Sequence, residues 1–139
     1  MSLNTQIIGK TMPHGFAGTY ARQPDMIVNT RPVGGTESIS FGTALKYDNG
    51  KVIVMGGTGT TAAQFAGIAG SEVKSALVYP DQNGGKYAPG EACSVFQRGS
   101  INVLCQRGTP ALGGDVYVRI AKTSDYATCL LYTSDAADD

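Results

Sequence analysis

The sequence predicts an all-β protein, a small barrel or sandwich of short antiparallel strands with an extended N-terminal arm. Composition is the first reason, because the 139 residues include 19 glycines and no tryptophan, and only 16% of them are charged. A glycine-rich chain with many threonines and valines is typical of short strands joined by tight turns. The second reason is that, from Ser38 onward, apolar runs of strand length alternate with turn residues at nearly regular spacing. The length suits a single domain.

The arm is predicted over residues 1–36, where the sequence has little apolar periodicity. Glycines and prolines interrupt this stretch throughout, at Gly9, Pro13, Gly15, Gly18, Pro24, Pro32, Gly34 and Gly35. Because these residues punctuate regular structure, a packed strand or helix is not expected here. The β domain is therefore assigned to residues 37–128.

The first strands of this domain are predicted to form a hairpin. The runs Ser38–Tyr47 and Lys51–Met55 flank Asp48-Asn49-Gly50. An Asn-Gly pair favours the two-residue turn that needs positive φ at both central positions. A glycine- and threonine-rich loop follows, and then another strand-like run over Ala63–Val73.

The second half of the domain repeats this arrangement. A run at Ala76–Tyr79 precedes predicted turns at 81–85 and 88–91, and a last strand is predicted at Asp115–Ala121.

A second hairpin is predicted about Gly99, between the runs Ala92–Gln97 and Ile101–Gln106. This register places Cys93 opposite Cys105. In a reducing cytoplasm the default interpretation is two small buried thiols, and a disulfide across the hairpin is the alternative.

Residues 129–139 do not continue any upstream pattern. They read CLLYTSDAADD, an apolar cluster followed by an acidic end. This peptide resembles the translation of a transposase sequencing adapter, so we expect a foreign tail and a natural reading frame cut near Thr128, which leaves the β domain incomplete. A natural disordered acidic tail is the alternative.

The stretch from Val52 to Ala63 raises the question of nucleotide binding, because an apolar strand is followed by G-x-G-x-x-A from Gly57 to Ala62. A dinucleotide loop of this kind opens a helix, and an acidic residue follows about 20 positions later. Here two glycines interrupt the segment that would be helical, each costing about 1 kcal/mol relative to alanine, and no acidic residue lies at the required place. We therefore interpret Gly56–Gly59 as part of a loop between strands.

No other pattern predicts catalysis, a cofactor or a metal site. His14 is the single histidine, and it has no companion at zinc-ligand spacing. No G-x-S-x-G motif is present, so acyl transfer is not expected. The 11 basic and 11 acidic residues balance, which argues against nucleic acid as a partner. The apolar runs fall far short of the ~20 residues that span a bilayer, so we expect no membrane segment and no signal peptide.

The remaining class is a binding or structural protein, and here several segments resemble the structural cement (head decoration) proteins of tailed bacteriophages. The resemblance extends over nearly all of residues 5–120. It lies in FAGTYARQPD at 16–25, ISFGTAL at 39–45, FAGIA at 65–69, YAPGEA at 87–92 and GGDVYV at 113–118.

The resemblance implies a non-enzymatic virion protein, made in the bacterial cytoplasm, that binds and stabilises the outside of the expanded capsid. Its partner would be the major capsid protein, and by analogy it would form a homotrimer. Phe16, Tyr20, Arg22 and Asp25 are the expected capsid contacts, since aromatic and arginine side chains are favoured interface anchors. The alternative function is a virion adhesin or fibre-base protein that binds host surface glycans, which would require exposed aromatic surfaces.

Overall fold

The computed structural model describes residues 16–57, 59–72, 84–121 and 131–132, without the side chains of residues 22–24. The described residues contain ten strands and one short 3₁₀ turn, Ala62–Gln64. In chain order the strands are β1 (Tyr20–Pro32), β2 (Ile39–Ser40), β3 (Ala44–Asp48), β4 (Lys51–Val54), β5 (Phe65–Ala69), β6 (Lys86–Tyr87), β7 (Ala92–Ile101), β8 (Cys105–Arg107), β9 (Tyr117–Val118) and β10 (Leu131–Tyr132). The prediction of an all-β protein is confirmed.

The strands form three sheets, none of them closed, in a sandwich-like arrangement. The largest has five antiparallel strands in the order β1-β7-β5-β3-β4. A three-stranded sheet has the order β8-β10-β9, and β2 pairs with β6 in the smallest sheet.

Each face of the five-stranded sheet is partly covered by a core cluster, and neighbouring strand residues point to opposite faces. Leu45 packs on one face with Ile39 and Tyr87 from the two-stranded sheet. Its neighbour Ala44 packs on the other face, in a cluster that includes Leu131 of the three-stranded sheet. Full burial of each large apolar side chain contributes about 1.5–3 kcal/mol, so these two clusters hold the layers together.

The predicted hairpin is confirmed. Asp48 pairs with Lys51 at the ends of β3 and β4. Between them Asn49 and Gly50 have φ values of 49° and 77°, as a primed two-residue turn requires. The predicted proline turn is also present, closed by a bond from Glu91 N to the carbonyl oxygen of Ala88.

The prediction of no packed strand before residue 37 is wrong for β1. Its backbone is extended, as expected, but it pairs with β7 over most of its length, from Tyr20 opposite Ile101 to Pro32 opposite Ala92. The interrupting Pro32 is tolerated because it stands at the end of an edge strand. Residues 1–15 lie outside the described residues.

The second predicted hairpin is also wrong. Residues 92–101 form one continuous strand, with Gly99 inside it, and Cys93 pairs with Arg31 of β1. Cys105 lies on β8 in a different sheet, and both cysteines are free. Gly99 lies inside a strand and forms no turn, and its lack of a side chain allows a close approach of another backbone segment.

Several predicted strands are shorter than expected. The run at 38–47 is divided into β2 and β3 by a turn at Phe41-Gly42, where Gly42 has a φ of 80°. The last predicted strand is reduced to β9. The run at 76–79 lies outside the described residues, as do residues 81–83 of the following turn.

The described part of the predicted foreign tail is β10. Leu131 is buried, and it pairs with Cys105 of β8 and Val118 of β9. The adapter origin of residues 129–139 remains a prediction.

Candidate functional site

The segment that leads into β1 is tied firmly to the sheets. Gly18 N donates to Asn102 O at 2.8 Å, Asn102 N donates to Thr19 O at 2.8 Å, and Ser71 N donates to Gly18 O at 2.7 Å. Gly18 has a φ of 84°, and a Cβ there would lie 2.9 Å from the Cβ of Phe41. The chain is therefore anchored from residue 17 onward, and an arm that moves independently can include only the residues before it.

β1 carries a large bulge in the middle of its pairing with β7. Arg22 pairs with Ser100 and Ile27 pairs with Arg98, so the four residues 23–26 face only Gly99. Gly99 has a φ of 125°, which L side chains rarely adopt. A Cβ at that position would lie 2.9 Å from the Cβ of Met26. Glycine at position 99 therefore lets the bulge lie directly against β7.

The bulge is also held by an ion pair. Arg98 Nη2 lies 3.1 Å from Asp25 Oδ2, and the two side chains are 64% and 76% exposed. An exposed pair of this kind contributes about 0–1 kcal/mol to stability. Its main effect is to orient two opposite charges on the surface of the bulge.

Tyr20 is engaged within the protein. Its hydroxyl donates to Glu72 Oε1 at 2.7 Å, and its ring lies 5.1 Å from the ring of Phe96. The hydrogen bond to Glu72, then partial burial and the nearby negative charge, raise the pKa of Tyr20. Tyr20 therefore stabilises the start of β1 and presents only part of its surface to a partner.

The other predicted contacts lie on the same edge of the five-stranded sheet. Phe16 is 76% exposed where the anchored segment begins. Arg22 lies on β1 at the start of the bulge, and its side chain is outside the described part. Tyr20, Arg22 and Asp25 thus lie on the edge strand β1, and Phe16 lies four residues before its start. Sequence reasoning missed Gly99 and Glu72, whose roles depend on contacts between distant segments.

A polar network crosses the same sheet farther along β1. Asn29 donates from Nδ2 to Gln97 Oε1 at 2.6 Å, and Gln97 donates from Nε2 to the Tyr47 hydroxyl at 2.7 Å. The Arg31 guanidinium lies 5.9 Å from the centre of the Tyr47 ring. These side chains form hydrogen bonds with one another. The network therefore holds this surface of the sheet in one arrangement and leaves fewer donors for a partner.

The glycine-rich loop does not have the geometry of a dinucleotide site. The chain passes from residue 61 into the 3₁₀ turn and then into β5, with no helix to present to a phosphate. Lys46 Nζ instead donates to Gly56 O at 2.7 Å and to Thr60 Oγ1 at 3.0 Å. The interpretation of Gly56–Gly59 as a loop between strands is confirmed.

Cys93 is a buried thiol in the core. It is fully buried, and desolvation raises its pKa to about 12. A thiol in this environment is inert as a nucleophile. Among the described residues no three His, Cys, Asp or Glu side chains come together as a metal site would require. His14 lies outside them.

The described residues include no helix long and apolar enough to span a bilayer.

The edge strand β1 carries a bulge and an exposed ion pair, and the exposed aromatic residue Phe16 precedes it. Sheet edges and exposed aromatic side chains are features of surfaces that bind other proteins. Comparison with known families makes this specific. The family model described as structural cement protein (E217 gp24/Pam3 gp6) matches residues 3–139. The chain belongs to this family of phage structural cement proteins, whose place is the virion capsid. The searches of curated proteins and of solved structures returned no match.

Proposed function

We propose that this protein binds the outside of the expanded phage capsid, through the major capsid protein, and stabilises the shell. Membership of the structural cement protein family is the observation that carries the proposal. The protein would act without catalysis or a cofactor and would not bind nucleic acid or membrane. It would be made in the cytoplasm of the bacterial host.

The edge of β1 is the proposed contact surface. Edge strands present unpaired backbone groups that can pair with a neighbouring chain. The bulge at residues 23–26 displaces part of this edge, and the Asp25–Arg98 pair gives it two opposed charges. In this proposal Phe16 is the apolar anchor, Arg22 and Asp25 are polar contacts, and Tyr20 contributes the exposed part of its ring.

The arm would add to this contact, but ordering the arm on binding costs free energy. Because the chain is anchored from residue 17, the proposed arm is the segment before it, shorter than the 36 residues predicted from sequence. Ordering such a segment on binding lowers its affinity per unit of buried area. A homotrimer would compensate, since several weak contacts acting together raise avidity roughly 10²–10⁴-fold.

The test is co-sedimentation with capsids stripped of cement protein, together with the temperature at which those capsids open. Saturable binding that raises the opening temperature is the expected result. Phe16→Ala should weaken binding at least tenfold. Leu112→Ala is the matched control, because Leu112 is also an exposed apolar residue but lies outside the proposed surface. Absence of binding at micromolar protein would refute the proposal.

Glycan binding is the alternative function. The observation in its favour is an aromatic surface on the three-stranded sheet, where the rings of Tyr117 and Tyr132 lie 5.5 Å apart and Arg119 lies 4.7 Å from the Tyr132 ring centre. Tyr132, however, belongs to the segment that we predict to be foreign. Binding of the chain to a glycan array that is lost in the variant Tyr117→Ala would support this alternative.

A further inference from the structure

The outer edge of β1 is open between two boundaries. On one side lies the bulge at residues 23–26. On the other side, Pro32 has no N–H group, and Val33 forms a parallel bridge with Val52 of β4. The segment between these boundaries, residues 27–31, has a length of about 17 Å as a strand. We call this segment the open edge.

The direction of the backbone groups in the open edge follows from Val33. Its N–H donates to Glu91 O at 2.9 Å, and its carbonyl oxygen accepts from Gly90 N at 2.9 Å, so both groups point toward the start of β7. Because the groups of successive strand residues alternate in direction, those of Val28 and Thr30 point away from β7. Within the described residues no backbone partner for them is found. An added strand would therefore pair with Val28 and Thr30.

The side chains of the open edge define what such a strand should carry. Val28 packs against the second core cluster, so residues 27, 29 and 31 lie on the opposite face of β1. Ile27 is 48% exposed on that face. Arg31 is also exposed and lies over the Tyr47 ring, and in the described part of the chain no carboxylate pairs with it. One end of this face is thus apolar, and the other end is cationic.

We propose that the open edge receives an extended segment of the major capsid protein, in which an apolar and an acidic side chain lie four residues apart. Residues i and i+4 of a strand share a face, so the apolar side chain packs on Ile27 while the carboxylate pairs with Arg31. The backbone of the segment forms hydrogen bonds with Val28 and Thr30. This inference rests on the proposed function, because it names the chemistry of the capsid segment that contacts β1.

A second copy of β1 is a poorer occupant of the open edge. The only acidic residue of β1 is Asp25, which lies in the bulge and is already paired with Arg98. Antiparallel pairing of two open edges about Asn29 would place each Arg31 beside Ile27 of the other copy. Both cations would then lack a carboxylate, so charge complementarity favours a different protein as the occupant.

Thr30→Pro tests the backbone pairing, because it removes the outward N–H and leaves the inward hydrogen bonds of β1 in place. Proline is tolerated where the N–H of an edge strand faces solvent, so the variant should fold. Its affinity for stripped capsids should fall about tenfold, since the capsid acceptor is left unpaired in the interface. Thr30→Ala is the matched control, because it removes the same side chain but keeps the N–H, and it should bind as the natural protein does.

Hydrogen exchange gives a second measurement that needs no variant. The amides of Val28 and Thr30, followed by mass spectrometry of overlapping peptides, should exchange about tenfold more slowly on the capsid than in the free protein, because the added strand supplies acceptors. Charge reversal tests the side-chain contact. Arg31→Glu should weaken capsid binding about tenfold, whereas Arg31→Lys keeps the cation and should weaken it less than about threefold.

The outcomes separate this inference from the proposed function. Saturable capsid binding without new protection at Val28 and Thr30 would overturn the inference and leave the proposed function standing. Absence of capsid binding would refute both. Protection that needs no capsid and increases with protein concentration would assign the open edge to a second copy and overturn the capsid segment as its occupant. If Thr30→Pro fails to fold, the exchange measurement on the natural protein decides.

Discussion

A Cβ atom placed on Gly99 would lie 3.0 Å from the carbonyl oxygen of Asp25, 74 residues away in the sequence. This contact sets the shape of the proposed binding edge, because the bulge at residues 23–26 lies directly on β7 at that point. Any side chain at position 99 must displace the bulge or strain the strand.

Gly99→Ala should therefore destabilise the protein by about 2–4 kcal/mol, through unfavourable φ and crowding against Met26. Chemical denaturation measures this. Gly57→Ala is the matched control, since Gly57 also has positive φ, 99°, but nothing within 4 Å of an added Cβ. A similar loss in both variants would mean that crowding by the bulge contributes nothing.

Removal of the Asp25–Arg98 ion pair should weaken capsid binding while changing the stability of the protein very little. Asp25→Ala and Arg98→Ala should each change the free energy of unfolding by less than about 1 kcal/mol, because both groups are exposed. Under the proposed function each should weaken capsid binding, and the double variant shows whether the two effects are coupled. Unchanged capsid affinity in all three variants would remove the pair from the contact surface.

Phe16 and Tyr20 should respond differently to truncation. Phe16→Ala should leave the melting temperature within about 1 °C of the natural value, since the ring is 76% exposed. Tyr20→Phe removes the hydroxyl bond to Glu72 and should cost about 1 kcal/mol. Calorimetry of the two variants measures both effects, and an unchanged stability in Tyr20→Phe would show that the bond to Glu72 contributes nothing.

Stability should fall at alkaline pH because of Cys93. Burial raises the pKa of its thiol from 9.0 to about 12, so above pH 9 the unfolded chain releases a proton that the folded protein retains. The stabilisation is thus complete below pH 9 and is lost as pH rises toward 12, by about 3 kcal/mol at pH 11. Urea denaturation of the natural protein and of Cys93→Ala at pH 8 and pH 11 measures the difference. An equal loss in both proteins would contradict the assignment.

The three-stranded sheet should depend on β10. Among the described strands only β10 pairs with both β8 and β9, and Leu131 is buried in the second core cluster. Leu131→Ala should cost about 2–3 kcal/mol of unfolding free energy. A chain ended after Thr128 should lose at least as much. If thermal melting of the shortened chain matches that of the full chain, β10 is not needed for the fold.

The sequence by itself determined the elements whose structure depends on neighbouring residues. The Asn49-Gly50 hairpin, the proline turn before Glu91 and the loop at Gly56–Gly59 all form as predicted, since turn chemistry depends on local φ preferences. The residue composition was likewise enough to predict an all-β protein. The family resemblance rested on short stretches of sequence, such as FAGTYARQPD at 16–25.

The tertiary structure alone decided which strands pair. Tyr20–Pro32 has too many interruptions to be predicted as a packed strand, yet β7 supplies its partner from about 70 residues away. The same long-range pairing makes Gly99 part of a strand, where local chemistry had favoured a turn. Backbone hydrogen bonds and side-chain packing across the sheets outweigh weak local propensities, so neither the binding edge nor its bulge could be derived from sequence pattern alone.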